Sequence, residues 1–207
     1  MTTILFVDDN DLICMMYGEM LEKSGYSVMS VNSGPEALKL LDTTRVDLIL
    51  LDIMMEHMDG WEVLEHIRER DDCSEVSVII LTAKTLLPGD ALKYGDAVQG
   101  FIMKPLFAET LRDSLNDVQS EWDEREKLLF ACGDDNSARN RVTEYMTIRQ
   151  QIRVWDGLLL TIIKTFGEAN GDEYGDYPIQ IQSIRDVIAG KNARLTELED
   201  SVKAFTA

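Results

Sequence analysis

The sequence is poor in cysteine, histidine, proline and positive charge. Its 207 residues include three Cys, two His and four Pro. The cysteines, at 14, 73 and 132, make neither a CxxC pair nor an even framework. That excludes a disulfide scaffold and a thiolate zinc site, and it suits a reducing compartment. Basic residues number 20 against 38 acidic ones, for a net charge of −18. Residues 1–120 carry nine Lys and Arg against 22 Asp and Glu, and residues 121–207 carry 11 against 16. Neither half has the basic surplus that tracks a phosphate backbone, which argues against DNA as a partner. Long apolar runs are missing as well. None approaches the ~20 residues that span a bilayer. The run ILFV at 4–7 meets Asp8 and Asp9 at once, where a signal peptide would stay apolar. A soluble, cytoplasmic protein with no membrane contact is expected.

What is present is alternation. Five aliphatic or β-branched runs punctuate the first half: TILFV (3–7), SVMSV (27–31), DLILL (47–51), VSVIIL (76–81) and GFIM (100–103). Helix-period segments lie between them, with Leu12, Met16, Met20 and Leu21, then Ala37, Leu38 and Leu41, then Val63, Leu64 and Ile67. Asn10 and Ser33 stand where N-caps belong, the latter before Gly34-Pro35. DLILL and VSVIIL are apolar at nearly every position, as in a parallel sheet covered on both faces. The expected fold class is α/β, a doubly wound five-stranded parallel sheet over residues 1–120. Such folds put their chemistry at the carboxyl ends of the strands.

Those ends carry Asp8-Asp9, Asp52, Thr82-Ala83-Lys84 and Lys104-Pro105. Each residue alone has an ordinary explanation. A strand-end Asp is usually a cap or turn residue, and a strand-end Thr reflects β-propensity. The conjunction carries the argument. Three gathered carboxylates repel one another and lose hydration, which a hard divalent cation such as Mg²⁺ relieves through oxygen ligands. A carboxylate facing that cation can act as a nucleophile toward phosphorus. A hydroxyl and an ammonium, from Thr82 and Lys104, would hold the remaining phosphoryl oxygens.

In FVDDND (6–11), LLDIMMEHMDG (50–60), ILTAK (80–84) and GFIMKP (100–105), the chain resembles the receiver domain of two-component response regulators, which has a flavodoxin-like fold. The second of these segments fits the family pattern D-x-x-M-P-x-M-D-G at Asp52, Met55, Met58, Asp59 and Gly60. The resemblance implies that Asp52 is the phosphoacceptor. It implies that Asp9 ligates Mg²⁺ directly, Asp8 mostly through water, and that the Met54 backbone carbonyl is a further ligand. Lys104 would contact the phosphoryl group beside a cis bond to Pro105. Thr82 and Phe101 would be the switch pair. A sensor histidine kinase is the implied donor, and the chain is not expected to be an enzyme beyond weak self-catalysed gain and loss of phosphate. Glu56 replaces the usual Pro, which is expected to loosen the following loop or to add repulsion near the metal. The loop histidine His57 is read as a plain loop residue.

The second half, residues 121–207, is expected to be an all-α output or interaction domain. A helical stretch begins near 105, with Leu111, Leu115, Val118, Trp122 and Leu129 at roughly heptad spacing. A break at 132–137 leads to a helix over 138–166. There Tyr145, Ile148, Ile152, Trp155, Leu159, Ile162 and Phe166 alternate by three and four. Pro178 opens a third helix, with Ile181, Ile184, Ile188, Leu195, Leu198 and Val202 in a similar seam that Lys191 interrupts and Gly190 is expected to bend. Two seams joined by a polar loop predict an antiparallel hairpin. Val154, Leu158, Leu160 and Ile163 add apolar surface that one partner helix would not cover, so a third helix, the receiver or a homodimer is expected to cover it. The half lacks histidine, which excludes a histidine phosphotransfer bundle. The acidic loop at Asp172, Glu173 and Asp176 lacks EF-hand spacing and reads as solvated. The expected function is a response regulator that signals to an unidentified downstream protein. The alternative is a transcriptional regulator with a nucleic-acid-binding C-terminal domain.

Overall fold

The computed structural model describes residues 1–73, 75–167 and 175–203. The acidic-loop reading at Asp172 and Glu173 lies outside them. Strands β1 (Thr3–Val7), β2 (Ser27–Val31), β3 (Leu48–Asp52), β4 (Ser77–Thr82) and β5 (Gly100–Met103) form one sheet. All pairings are parallel, in the order β2-β1-β3-β4-β5. The five-stranded, doubly wound α/β architecture expected from the sequence is the one observed. Every residue of β3 and β4 is buried, as strands apolar on both faces require.

Helices α1 (Asp11–Lys23), α2 (Gly34–Leu41) and α3 (Gly60–Arg68) follow the first three strands' turns. Each starts where a side chain satisfies free backbone donors. Asn10 accepts from the N–H groups of Leu12 and Ile13, and Ser33 from that of Glu36. Asp59 and Glu62 form a reciprocal capping box. Beyond them lie α4 (Pro88–Tyr94), a 3₁₀ turn (Gly95–Ala97), α5 (Ala108–Ala131), α6 (Asn136–Phe166) and α7 (Tyr177–Lys203).

The chain divides into two compact units. One comprises Met1–Thr85 and Ala97–Leu111, the other Leu86–Asp96 and Arg112–Ala207. The first holds the sheet and α1 to α3. Its core is built on Ile4, Leu5, Phe6, Ile49, Leu50 and Ile80, all fully buried. The guanidinium of Arg68 donates to the carbonyl oxygens of Ala97, at 2.6 and 2.8 Å, and of Val76, at 2.9 Å. It thereby holds the point where the chain re-enters this unit.

The second unit holds α4, most of α5, and α6 with α7. Arg194 of α7 pairs with Glu144 of α6 at 2.7 Å, while Phe166 and Tyr177 meet edge to face at 5.1 Å. Late α7 thus lies beside early α6, and the hairpin is antiparallel. Val142 and Met146 of α6, Leu128 of α5 and Val202 of α7 share a buried cluster. Arg149–Glu124 and Arg153–Glu121 add ion pairs between α6 and α5.

The expected α6 seam is offset from the buried one. Ala138, Val142, Met146, Val154, Trp155, Leu158 and Ile162 are buried, whereas Tyr145, Ile148, Ile152 and Leu159 are only partly covered. A straight helix drifts by about 20° per heptad from a strict seven-residue repeat. Across the length of α6, between several partners, no single heptad line stays innermost. Of the surplus apolar residues, Val154 and Leu158 are buried and Leu160 is exposed. In α7 the buried positions Ile181, Ile184, Leu198 and Val202 do lie on the expected seam. The helix runs unbroken through Gly190.

Candidate functional site

The site lies in the first unit, at the carboxyl ends of β1, β3, β4 and β5. Asp8 follows β1, Asp52 ends β3, Thr82 ends β4 and Lys104 follows β5. The parallel register sets them side by side: Asp52 faces Leu81, and Thr82 faces Met103. Gly60 makes room for the strand end. A Cβ there would stand 2.2 Å from the Asp52 carbonyl oxygen, so only glycine fits.

Lys104 is the centre of the arrangement. Its Nζ donates to Asp8 Oδ2 at 2.6 Å and to Asp52 Oδ2 at 2.7 Å. The two carboxylates are almost wholly buried, at 1% and 5% side-chain exposure. Burial pushes the Asp52 carboxyl above its ordinary value, against the opposing pull of Lys104. Burial alone would lower Lys104, but the two carboxylates together hold it above the usual lysine value. Ligand oxygens of Asp8, Asp9 and Asp52 lie within 4.8 Å of one another. Three carboxylates face one ammonium, so the cluster carries surplus negative charge made of hard oxygen donors. That donor set fits Mg²⁺ and does not suit a soft metal.

Backbone donors fix the remaining carboxylate oxygens. The Asn10 N–H reaches Asp8 Oδ1 at 3.0 Å, and the Met54 N–H reaches Asp52 Oδ1 at 3.1 Å. The Glu56 N–H reaches Asp9 Oδ2 at 3.1 Å. This last bond corrects the expectation for Glu56. A proline could not donate it, so the departure from the family pattern ties the loop to Asp9 instead of loosening it. His57, next in the chain, has φ 68° and is exposed, a left-handed conformation uncommon outside glycine.

Thr82 is buried, and its Oγ1 accepts the Lys84 N–H at 2.9 Å. Phe101 is half-buried with its ring 6.1 Å from that of Trp61. The Lys104–Pro105 bond is cis. The side chains of Met54 and Lys84 are exposed. Cys14, which the sequence reading left without a role, donates its thiol to the Asp8 carbonyl at 3.2 Å. Burial and the Asp8 charge push that thiol up to about 11, so it stays protonated and inert. Among the described residues, no helix is long and apolar enough to cross a membrane.

Comparison with known proteins covers the first half of the chain. A family model described as response regulator receiver domain matches residues 4–116. The polar-differentiation response regulator DivK of Brucella anthropi is 30% identical over 120 residues, covering 56% of this chain and 98% of that protein. The transcriptional regulatory protein GlrR of Escherichia coli is 32% identical over 115 residues, which are 56% of this chain and 26% of that one. Among solved structures, chemotaxis protein CheY4 of Vibrio cholerae aligns with a TM-score of 0.54 at 30% identity, covering 57% of this chain and 98% of that one. The response regulator TrrA of Thermotoga maritima, in complex with Mg²⁺ and BeF, aligns at 0.51 and 30% identity, covering 56% and 98%. The C-terminal region has no family match.

Proposed function

Because the chain belongs to the response regulator receiver family, we propose that Asp52 accepts a phosphoryl group from a sensor histidine kinase and that residues 121–207 pass the change to a downstream protein. The observation that carries this reading is the Lys104 ammonium held between two buried carboxylates, Asp8 and Asp52, at the ends of three parallel strands.

In the proposed step an Asp52 carboxylate oxygen forms a bond to phosphorus as the donor's P–N bond breaks, and the electron pair returns to the imidazole. Lys104 then exchanges a carboxylate oxygen for a phosphoryl oxygen, keeping its charge where negative charge accumulates. The Thr82 hydroxyl takes another phosphoryl oxygen, and Phe101 follows Thr82. Asp8, Asp9, Asp52 and the Met54 carbonyl would hold Mg²⁺. That ion supplies charge neutralisation for the carboxylates and the incoming phosphoryl group when bound. Loss of phosphate is hydrolysis by water in line with the Asp52 oxygen, so the protein is a slow self-catalysed phosphoacceptor and not a turnover enzyme. The acidic charge of both halves points to a protein target, in a cytoplasmic setting. A homodimer is one form the output can take.

Acetyl phosphate with Mg²⁺ tests the assignment. The full chain should gain one base-labile phosphoryl group, seen as a mass shift. Asp52→Asn should gain none, and full labelling of that variant would refute the assignment.

A further inference from the structure

Helix α4 is short and belongs, with Gly95 and Asp96, to the second unit. There it packs against α6 and α7. Three unrelated oddities of the sequence meet at its end. Trp155 of α6 donates its indole N–H to Asp96 Oδ1 at 2.7 Å. Lys191, the cation that interrupts the apolar seam of α7, donates to both Asp96 oxygens at 2.9 and 3.1 Å and to Gln151 at 2.7 Å. Gly95 has an ordinary helical φ of −57°, so it is not there for backbone freedom. It is there for space. A Cβ at Gly95 would stand 2.7 and 2.8 Å from Trp155 ring atoms, and a large buried ring has little room to yield. Ala91 and Tyr94 of α4 are buried too. The end of α4 is therefore a fitted seat for α6 and α7.

The other end of α4 leads back to the site. Thr82 is the last residue of β4, and the chain enters the second unit at Leu86. Only residues 83–85 lie between. The Thr82 hydroxyl accepts the Lys84 N–H. The same hydroxyl donates to the Lys84 carbonyl oxygen at 3.4 Å. It has a single proton, so turning it to a phosphoryl oxygen releases that carbonyl, and the short connection has little slack to absorb the change. We infer that α4 is the input lever of the helical unit: the seat formed by Gly95 and Asp96 for Trp155 and Lys191 couples the state of Asp52 to the packing of α6 and α7. The inference rests on the phosphoacceptor reading of Asp52. It makes the receiving partner of α4 the chain's own hairpin, with no second copy required.

Coupling between two sites is reciprocal. Occupying Asp52 must shift the seat, and weakening the seat must change affinity at Asp52. The full chain, labelled with 5-fluorotryptophan, reports both. Its three tryptophans, at 61, 122 and 155, are assigned by single Trp→Phe variants, and beryllium fluoride with Mg²⁺ serves as the phosphoryl mimic. Trp61 should respond as the residue near the site, and Trp155 should respond with the same midpoint. Asp96→Ala and, separately, Lys191→Met should uncouple them. Trp61 still responds, Trp155 does not, and the apparent affinity for the mimic changes on the order of fivefold or more. Response of Trp61 with Trp155 unmoved in the wild type overturns the lever and leaves the phosphoacceptor standing. Silence of both tryptophans overturns both. Unchanged affinity in both variants, with helical circular dichroism retained, also overturns the lever.

Discussion

Replacing Lys104 with Met should leave Asp8 and Asp52 as two buried anions with no countercharge. The ammonium stands 2.6 and 2.7 Å from their oxygens and is itself 19% exposed, so solvent screens it little. Breaking a buried ion pair from one side costs about 3–5 kcal/mol. With a urea slope of about 2 kcal/mol/M, that lowers the unfolding midpoint by roughly 1.5–2.5 M. Two further measurements separate electrostatics from lost packing. Asp52→Asn in the Lys104→Met background removes one of the stranded charges and should recover much of the loss. Mg²⁺ at a hundred times its dissociation constant contributes about 2.7 kcal/mol of stability. The variant should bind it more tightly than the wild type, and so gain more at a fixed concentration. Unfolding is followed through the fluorine resonance of 5-fluoro-Trp61 in the first unit. A midpoint shift below about 0.5 M, or equal rescue of both proteins by Mg²⁺, would refute the reasoning.

Asp52→Asn alone should stabilise the metal-free protein at pH 7, because burial raises the folded-state value of Asp52 above the unfolded one. Such a group contributes no penalty below the unfolded value, and stability is lost as pH rises through the folded one. The thermal advantage of the variant in EDTA should therefore vanish in acid, and a less stable variant at pH 7 contradicts it. Asp9→Ala should weaken Mg²⁺ binding, and an unchanged titration would remove Asp9 from the ligand set. Met54→Asn with Lys84→Glu should shorten the phosphoryl lifetime. Neither exposed side chain positions water as an amide and a carboxylate would, and an equal or longer half-life places that control elsewhere. Met146→Ala, in the α5–α6–α7 cluster, should cost about 2–5 kcal/mol, and a loss below about 1 kcal/mol in denaturant titration would show that the cluster is loosely packed.

The sheet was legible because both-face burial leaves unbroken aliphatic runs, and the expected strand limits of β3 and β4 differ from the observed ones by a single residue at each end. The strand-end residues followed from the fold rule. Less visible were the contacts made by backbone groups. That Glu56 ties Asp9 through its N–H depends on the residue not being proline, and nothing in its side chain announces it. The α6 seam was drawn as one heptad line, but a helix with partners on several sides buries a wider, drifting stripe. The place of α4 was hidden for a different reason. Its own sequence is short and unremarkable, and its seat is built by residues far along the chain. Lys191 in an apolar seam was the visible trace of that seat.

The seat also sets an order of events during synthesis. Trp155 follows Asp96 by 59 residues and Lys191 follows it by 95. A ribosome adding roughly 5–20 residues per second needs on the order of 3–12 s to supply the first and 5–20 s to supply the second. Once β5 follows, a few residues after Asp96, the sheet has all its strands, while Gly95 and Asp96 wait for Trp155 and Lys191. A nascent chain stalled just after Lys104 would hold the strand-end cluster of Asp8, Asp52 and Lys104, with the seat at Gly95 and Asp96 unfilled. A fragment cut after the receiver would carry that unfilled seat permanently.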